Sequence, residues 1–101
     1  MNYIIRAEAV TDASAIAMFI SRDNIAAAKD FLNSIHASCK NISRFPEIGK
    51  KKSYKNHLLK DVRVLPVHKF QNYLIFYRFL DKNIEVIRIL DGRRDLPSLF
   101  L

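Results

Sequence analysis

The side chains best suited to bind or transform a charged partner lie near the end of the chain, where Arg93, Arg94 and Asp95 follow Gly92. A guanidinium is a planar fork of donors that matches the oxygens of a carboxylate or a phosphate. The run therefore indicates contact with an acidic target, or a local salt bridge between Asp95 and one arginine. An arginine stays protonated at neutral pH, so Arg94 alone cannot be both the acid and the base of a reaction.

Three histidines are the other candidates for acid–base chemistry. His36 lies beside the apolar stripe of a predicted helix, His57 lies in a basic connector, and His68 precedes Lys69. A histidine with a neighbouring tyrosine or lysine is a minimal set for nuclease chemistry. No spacing in the sequence brings such residues together, so the sequence predicts no catalytic residue.

Metal and cofactor sites are not expected. The chain has one cysteine, no His-x3-His pair, and glycine only at positions 49 and 92, which excludes a zinc motif and a glycine-rich phosphate loop. Cys39 lies on a helical apolar stripe and is predicted to be a buried small hydrophobe. A lone cysteine cannot form an internal disulfide, which favours a reducing cytoplasm.

The composition is that of one globular domain, expected to span residues 1–101. Half of the residues are hydrophobic, and the formal net charge is +7. Residues 1–39 carry three basic and four acidic side chains, whereas residues 40–101 carry fourteen and six. An acidic partner therefore meets the second half of the chain. The longest apolar run, Ala15 to Ile20, is too short to span a bilayer, and no membrane partner is expected.

The first half predicts a strand followed by two helices. Tyr3 to Ile5 favours a strand, and Thr11 or Asp12 is predicted to cap the first helix. A second helix is predicted to begin after Asn24 and to end before Pro46. Its apolar stripe is expected to comprise Ile25, Ala28, Phe31 or Leu32, Ile35, Cys39 and Ile42, continued by Phe45.

Gly49 is predicted to permit a turn that other residues resist. A basic connector, residues 50–60, leads to three strands in the second half. Two of them are predicted from 62 to 67, with a bulge or an edge at Pro66, and from 73 to 80. The third runs from 84 to 90 after a turn at 81–83. Its alternation places Ile84, Val86 and Arg88 on one face and Glu85, Ile87 and Ile89 on the other.

The predicted fold class is α+β. Because strands joined by short turns pair antiparallel, the three C-terminal strands form a mainly antiparallel sheet. The N-terminal strand adds to this architecture, and the two helices form an antiparallel hairpin packed on the sheet.

Three segments carry a resemblance to a known family. Phe45-Pro46-Glu47-Ile48-Gly49 resembles the motif that follows the long helix of ParE-type toxins, within the RelE/ParE superfamily. Residues 62–67 with 73–78 resemble the paired central strands, and residues 87–95 resemble the last strand and its Arg-Asp tail. The resemblance implies a bacterial or plasmid-borne toxin of a type II toxin–antitoxin system, neutralised by an antitoxin encoded next to it.

The superfamily divides by activity. RelE-like members cut messenger RNA on the ribosome with clustered Lys and Arg and a tyrosine near the C-terminus, whereas the ParE-like members studied poison DNA gyrase. The RelE-like arginine would stand at Leu74 and the tyrosine at about Phe100. The resemblance thus favours a gyrase poison that reaches DNA only through gyrase.

Two alternatives stay open. One is a ribosome-dependent endoribonuclease that uses Arg63, Lys69, Arg78 or Arg94 with a histidine or Tyr77. The other is an inactive module that only binds its antitoxin.

The two expected contact sets follow from the charge distribution and the resemblance. Contacts with the target are expected from Arg93, Arg94, Asp95, Leu99 and Phe100. The antitoxin is expected to be acidic and partly disordered, so that its acids pair with the basic half and its apolar residues cover strand faces. The residues expected to bind it are Arg63, Tyr73, Tyr77, Arg78 and Arg88.

Overall fold

The computed structural model describes residues 2–94 and residue 96. The secondary structure runs in the order β1 (Tyr3–Ile5), α1 (Ala7–Ser21), α2 (Ile25–Arg44), β2 (Lys50–Lys51), β3 (Arg63–Val67), β4 (Phe70–Leu80) and β5 (Asn83–Asp91). A short 3₁₀ turn, His57–Leu59, lies between β2 and β3. Neither helix in this part of the chain combines the length and apolarity needed to cross a membrane.

The five strands form one mixed sheet in the order β1-β5-β4-β3-β2. Strand β1 pairs with β5 in parallel, and the other neighbours are antiparallel. The predicted α+β class is confirmed, with an N-terminal strand, a helical hairpin and three C-terminal strands. Strand β2 is an addition, because it lies in the connector that the sequence left without regular structure.

Helix α1 begins earlier than predicted. Its N-cap is Arg6, which makes no capping bond through its side chain, so the prediction of a cap at Thr11 or Asp12 is wrong. Ala9 is buried against the rest of the protein, and packing of this first turn explains the early start. The carboxylate of Asp12 is used elsewhere, as described below.

Helix α2 begins and ends as predicted. The side chain of Asn24 accepts a hydrogen bond from the Ala27 amide at 3.0 Å, and the helix ends at Arg44, before Pro46. Ile25, Leu32 and Phe45 are exposed, so the predicted apolar stripe is too wide. The buried face includes Ser38 instead, whose hydroxyl donates to the Ser34 carbonyl at 2.8 Å and accepts from the His68 amide at 3.0 Å.

The sheet carries apolar side chains on both faces. The larger core lies between the helices and the sheet and includes Phe31, Cys39, Ile75 and Tyr77. Burial raises the pKa of the Cys39 thiol to about 12, consistent with the inert hydrophobe predicted from the sequence. A smaller cluster on the opposite face joins residues of the sheet to Leu59 and Val62.

A bulge in β5 overturns the predicted alternation of that strand. Phe76 pairs with Arg88 and Tyr77 pairs with Val86, which leaves Ile87 without a partner residue in β4. The extra residue shifts the alternation by one position. Ile89 therefore packs in the core between the sheet and the helices, and not with Ile87 as predicted. The bulge predicted at Pro66 is present, because the register of β3 with β4 shifts between Pro66 and Val67.

A carboxylate fastens α1 to β5. Asp12 accepts hydrogen bonds from Arg88 Nε at 2.7 Å, from Arg88 Nη2 at 2.9 Å and from the Ile89 amide at 3.0 Å. The two side chains are mostly buried, with 13% of Asp12 and 23% of Arg88 exposed. One carboxylate thus satisfies a guanidinium fork and a backbone amide beside the bulge.

We predict that Asp12→Ala lowers the free energy of unfolding by about 2–3 kcal/mol, because it leaves Arg88 and the Ile89 amide without their acceptor. Urea denaturation followed by circular dichroism measures this change. Glu8→Ala is the control, because Glu8 pairs with Arg6 at 3.8 Å on the surface and its loss costs about 0.5 kcal/mol or less. Equal effects of the two substitutions would contradict the role given to Asp12.

Candidate functional site

A large concave surface lies where α2 ends. This α2-end cleft has a volume of about 790 Å³ and is lined by residues 44–48, by Lys51 of β2, by Asp61, and by residues of β3 and β4. Three apolar side chains in its lining are well exposed: Phe45 at 60%, Ile48 at 48% and Phe79 at 54%. Large apolar groups gathered in one cleft at the surface are typical of an interaction site.

The tyrosine of the central strand holds the wall of the cleft in place. The hydroxyl of Tyr77, which is 1% exposed, donates to the Pro46 carbonyl at 2.9 Å and accepts from the Gly49 amide at 2.8 Å. Burial raises the pKa of Tyr77, so the hydroxyl stays protonated and can make both bonds.

Gly49 is needed for closeness and not for an unusual turn. A Cβ at this position would lie 2.6 Å from the Tyr77 hydroxyl oxygen. Its φ is not positive, so the prediction that Gly49 supplies a backbone conformation closed to other residues is wrong. The glycine lets the loop approach the aromatic ring.

Arginine and lysine side chains form a positive rim around the cleft. Arg63 Nη1 donates to the carbonyls of Gly49 at 2.9 Å and Glu47 at 3.3 Å. The Arg44 guanidinium lies 5.8 Å from the centre of the Phe45 ring. Lys51 pairs with Asp61 at 3.1 Å, and this contact lowers the pKa of the Asp61 carboxyl. Arg63 thus contacts backbone oxygens, while Asp61 forms an ion pair with Lys51.

A second, smaller concavity lies between α1 and the end of β5. This α1 groove has a volume of about 300 Å³ and is lined by Asp12, Phe19, Tyr73, Arg94 and their neighbours. Arg93 does not line the groove but lies beside it, binding Asp91 through Nε at 3.0 Å and Nη2 at 2.9 Å and standing 5.9 Å from the centre of the Tyr73 ring. These contacts hold the pKa of the Asp91 carboxyl below its usual range.

The arginine that follows is the more exposed of the two. The Arg94 side chain is 75% exposed and lies 3.7 Å from Asp91. Asp91 is therefore the carboxylate that organises both Arg93 and Arg94. Asp95, Leu99 and Phe100, the other residues expected to contact the target, lie outside the described residues.

The family of the chain is decided by a comparison with family models. The model described as the ParE toxin of type II toxin–antitoxin systems, parDE, matches residues 3–96. The chain belongs to the ParE toxin family. A solved structure, "Chromosomal ParDE TA system from P. aeruginosa", is similar with a TM-score of 0.69 and 19% identity, over 88% of this chain and 92% of that one. No curated protein matches the sequence significantly.

The residues expected to bind an antitoxin lie in three places on this ParE fold. Arg63 and Tyr77 belong to the α2-end cleft, while Tyr73 lines the α1 groove and Arg88 binds Asp12 beside it. Arg78 pairs with Glu85 at 2.9 Å across β4 and β5. Because Tyr77 is buried, any effect it has on a partner passes through the loop that it holds. The functional role of this set stays a prediction.

Sequence reasoning missed the apolar floor of the cleft, a name used here for the exposed side chains of Phe45, Ile48 and Phe79. The helical periodicity predicts Phe45 in the buried stripe, Ile48 enters only as part of the motif that follows the helix, and Phe79 only as part of a strand. Phe79 continues the alternation of Tyr73, Ile75 and Tyr77 along β4, but unlike them it is exposed. That continuation past the covered part of the sheet was the signal available in the sequence.

The histidines are dispersed over this ParE fold. His36 on α2 shares a hydrogen bond of 3.0 Å with the Tyr3 hydroxyl, His57 lies in the 3₁₀ turn, and His68 lies in the turn between β3 and β4. The structure therefore keeps the two candidate bases, His57 and His68, on different segments.

We predict that Tyr77→Phe lowers the free energy of unfolding by about 1–3 kcal/mol, because it leaves the buried Gly49 amide and Pro46 carbonyl without their partner. Thermal or urea denaturation measures the loss. Tyr3→Phe is the matched control, because it removes an exposed tyrosine hydroxyl bond and should cost about 0.5 kcal/mol or less. A Tyr77→Phe protein as stable as the Tyr3→Phe protein would show that the clamp on the loop is not needed.

Proposed function

We propose that this ParE toxin arrests growth by binding DNA gyrase and stabilising the complex of gyrase with cleaved DNA. We further propose that an acidic, partly disordered antitoxin neutralises it. Membership of the ParE toxin family supports a toxin of a type II system. The neighbour in the P. aeruginosa ParDE system supports an antitoxin partner. The choice of gyrase depends on one further observation, which concerns the face of the sheet away from the helices.

That observation is Leu74, an aliphatic residue in a cleft at the position where a RelE-like nuclease would need an arginine. The connector cleft has a volume of about 480 Å³, and its lining joins Lys52, Ser53, Tyr54 and Lys55 to the sheet. Leu74, which stands in place of the RelE-like arginine, lines it together with Val64, Phe76 and Leu96. An aliphatic side chain offers neither charge to a phosphate nor a proton to a leaving group. This favours a toxin that acts by binding.

The C-terminal arginines are the groups proposed to contact gyrase. Arg94 projects with 75% of its side chain exposed, and Asp91 fixes the neighbouring Arg93 by two hydrogen bonds. An exposed guanidinium next to an anchored one suits a carboxylate on a protein or a phosphate of DNA held by gyrase.

The RelE-type nuclease is the second candidate, and the two lysines of the connector cleft are the observation in its favour. Lys52 and Lys55 could bind the phosphates of RNA, and burial raises the pKa of Tyr54 beside them. None of the three histidines lines this cleft in the described part of the chain. The cleft thus combines two lysines with no histidine among its described lining residues.

We predict that the antitoxin-free toxin makes gyrase accumulate linear DNA. Supercoiled plasmid is incubated with gyrase, ATP and toxin, and the DNA is examined on a gel after detergent and protease. Arg94→Ala should reduce the linear product about tenfold or more, because an exposed contact to an anion is lost. Arg22→Ala is the control. It removes an exposed arginine at the C-terminal end of α1 and should give as much linear product as wild type.

Absence of linear DNA with active gyrase and a toxin that still stops growth would contradict the gyrase proposal. Cleavage of messenger RNA on translating ribosomes, lost in Lys52→Ala and Lys55→Ala proteins, would establish the second candidate instead. A folded protein that leaves growth unaffected without antitoxin would support the inactive binding module.

We also predict that antitoxin binding weakens with salt. The probe is the purified protein encoded beside the toxin gene, titrated by calorimetry at 0.1 and 0.5 M NaCl. The dissociation constant should rise roughly tenfold or more, because the toxin carries a net charge of +7 and exposed charge pairs are screened. A dissociation constant independent of salt would contradict an acidic antitoxin.

A further inference from the structure

We infer that the α2-end cleft is the docking site for an acidic antitoxin segment that inserts one large apolar side chain between Phe45, Ile48 and Phe79. This inference rests on the proposed function, because it assigns one surface to the proposed antitoxin. It also reduces the set of residues expected to bind the antitoxin. Arg63 and Tyr77 line the cleft, whereas Tyr73, Arg78 and Arg88 do not.

The apolar floor argues for insertion of a side chain. Phe45 follows α2, Ile48 lies three residues on, and Phe79 comes from β4, yet all three line the same cleft with about half of each side chain exposed. Water against these groups is released when an apolar side chain covers them. A concave apolar floor with a polar rim is the arrangement in which one buried anchor dominates binding.

The charges of the rim specify the sign of the occupant. Arg44, Lys51 and Arg63 line the cleft, against Glu47 and Asp61. Lys51 Nζ and the Asp61 carboxylate form an ion pair at 3.1 Å. Arg63 Nη1 donates to two backbone carbonyls. Three cationic side chains thus line the cleft against two carboxylates, and this excess of positive charge favours carboxylates on the occupant.

Two other occupants fit less well. A second copy of the chain would bring two molecules of charge +7 together, which opposes association. Nucleic acid would place phosphates beside the carboxylates of Glu47 and Asp61 and bases over an aliphatic Ile48. An acidic peptide segment with one apolar anchor matches both the floor and the rim.

The cleft is organised before any partner arrives. Tyr77 and Arg63 together bind the backbone of Pro46, Glu47 and Gly49 in four hydrogen bonds. Phe45 precedes this segment and Ile48 lies within it, so both are held in position. The free-energy cost of ordering the segment on binding is therefore smaller. Tyr77 and Arg63 act here as positioning residues.

The test measures binding of the purified protein encoded beside the toxin gene to the full-length toxin by calorimetry. Phe79→Ala and Phe45→Ala should each weaken binding about tenfold or more, because each removes part of the floor. Leu80→Ala is the matched control: Leu80 is the next residue of β4, 42% exposed, and does not line the cleft. Its affinity should stay within about twofold of wild type. Circular dichroism verifies that each variant is folded.

The rim is tested with a second pair of variants on the same helix. Arg44→Gln should weaken binding and reduce the dependence of the affinity on salt. Lys29→Gln should do neither, because Lys29 is exposed near the opposite, N-terminal end of α2. These two substitutions keep the test decisive if a substitution in the floor prevents folding.

The outcomes separate this inference from the proposed function. Wild-type toxin that binds the neighbouring protein, with Phe45→Ala, Phe79→Ala and Arg44→Gln all equal to their controls, would overturn the cleft and leave the antitoxin standing. No binding by wild-type toxin would overturn the antitoxin itself. Displacement of the bound protein by single-stranded RNA, or a toxin dimer abolished by Phe79→Ala, would show a different occupant and also overturn the inference.

Discussion

The hydroxyl of Tyr77 is the contact on which the candidate site depends. It stands at the middle of the sheet, buried beneath the helices, and reaches the backbone on both sides of Glu47 and Ile48. A phenylalanine would fill the same space but could not bind the loop. The Tyr77 ring also requires glycine at position 49, because it leaves no room there for a side chain. The end of α2, the shape of the cleft and the exposure of its apolar floor therefore share one origin in the core.

A second polar contact organises the other end of the molecule. Asp12 joins α1 to β5 through Arg88 and the Ile89 amide, next to a bulge that breaks the strand's alternation. The bulge directs two successive residues, Arg88 and Ile89, towards the helical side, so that one reaches the carboxylate and the other the core. Asp91 then anchors Arg93 at the end of the same strand. The two arginines proposed to contact gyrase thus follow a strand end that is held by Asp12 at Ile89 and that carries Asp91, the anchor of Arg93.

The elements that the sequence predicted well are those determined by neighbouring residues. The cap at Asn24, the end of α2 before Pro46 and the strands of the second half depend on local spacing and on the backbone preferences of single residues. The start of α1 was misplaced, since Asp12 has the side chain of a cap but a partner 76 residues away. The bulge at Ile87 and the short strand β2 likewise depend on pairing with distant segments. For the candidate site, the sequence analysis named Arg63 and Tyr77, which line the cleft, and their role stays a prediction. The apolar part of the cleft could not be predicted, because Phe79 is distant in the sequence from Phe45 and Ile48 and meets them only in space.

The parallel pairing of β1 with β5 has a consequence for when the toxin can fold. Tyr3 lies opposite Ile84 and Ile5 opposite Val86, so the first strand of the described residues pairs with the last strand among them. Helices α1 and α2 can form as they emerge from the ribosome, but β1 has no strand to pair with until β5 has been synthesised. Contacts between such distant parts of the chain form late, because the intervening loop must close first. Completion of this edge of the sheet is in this way coupled to the synthesis of β5.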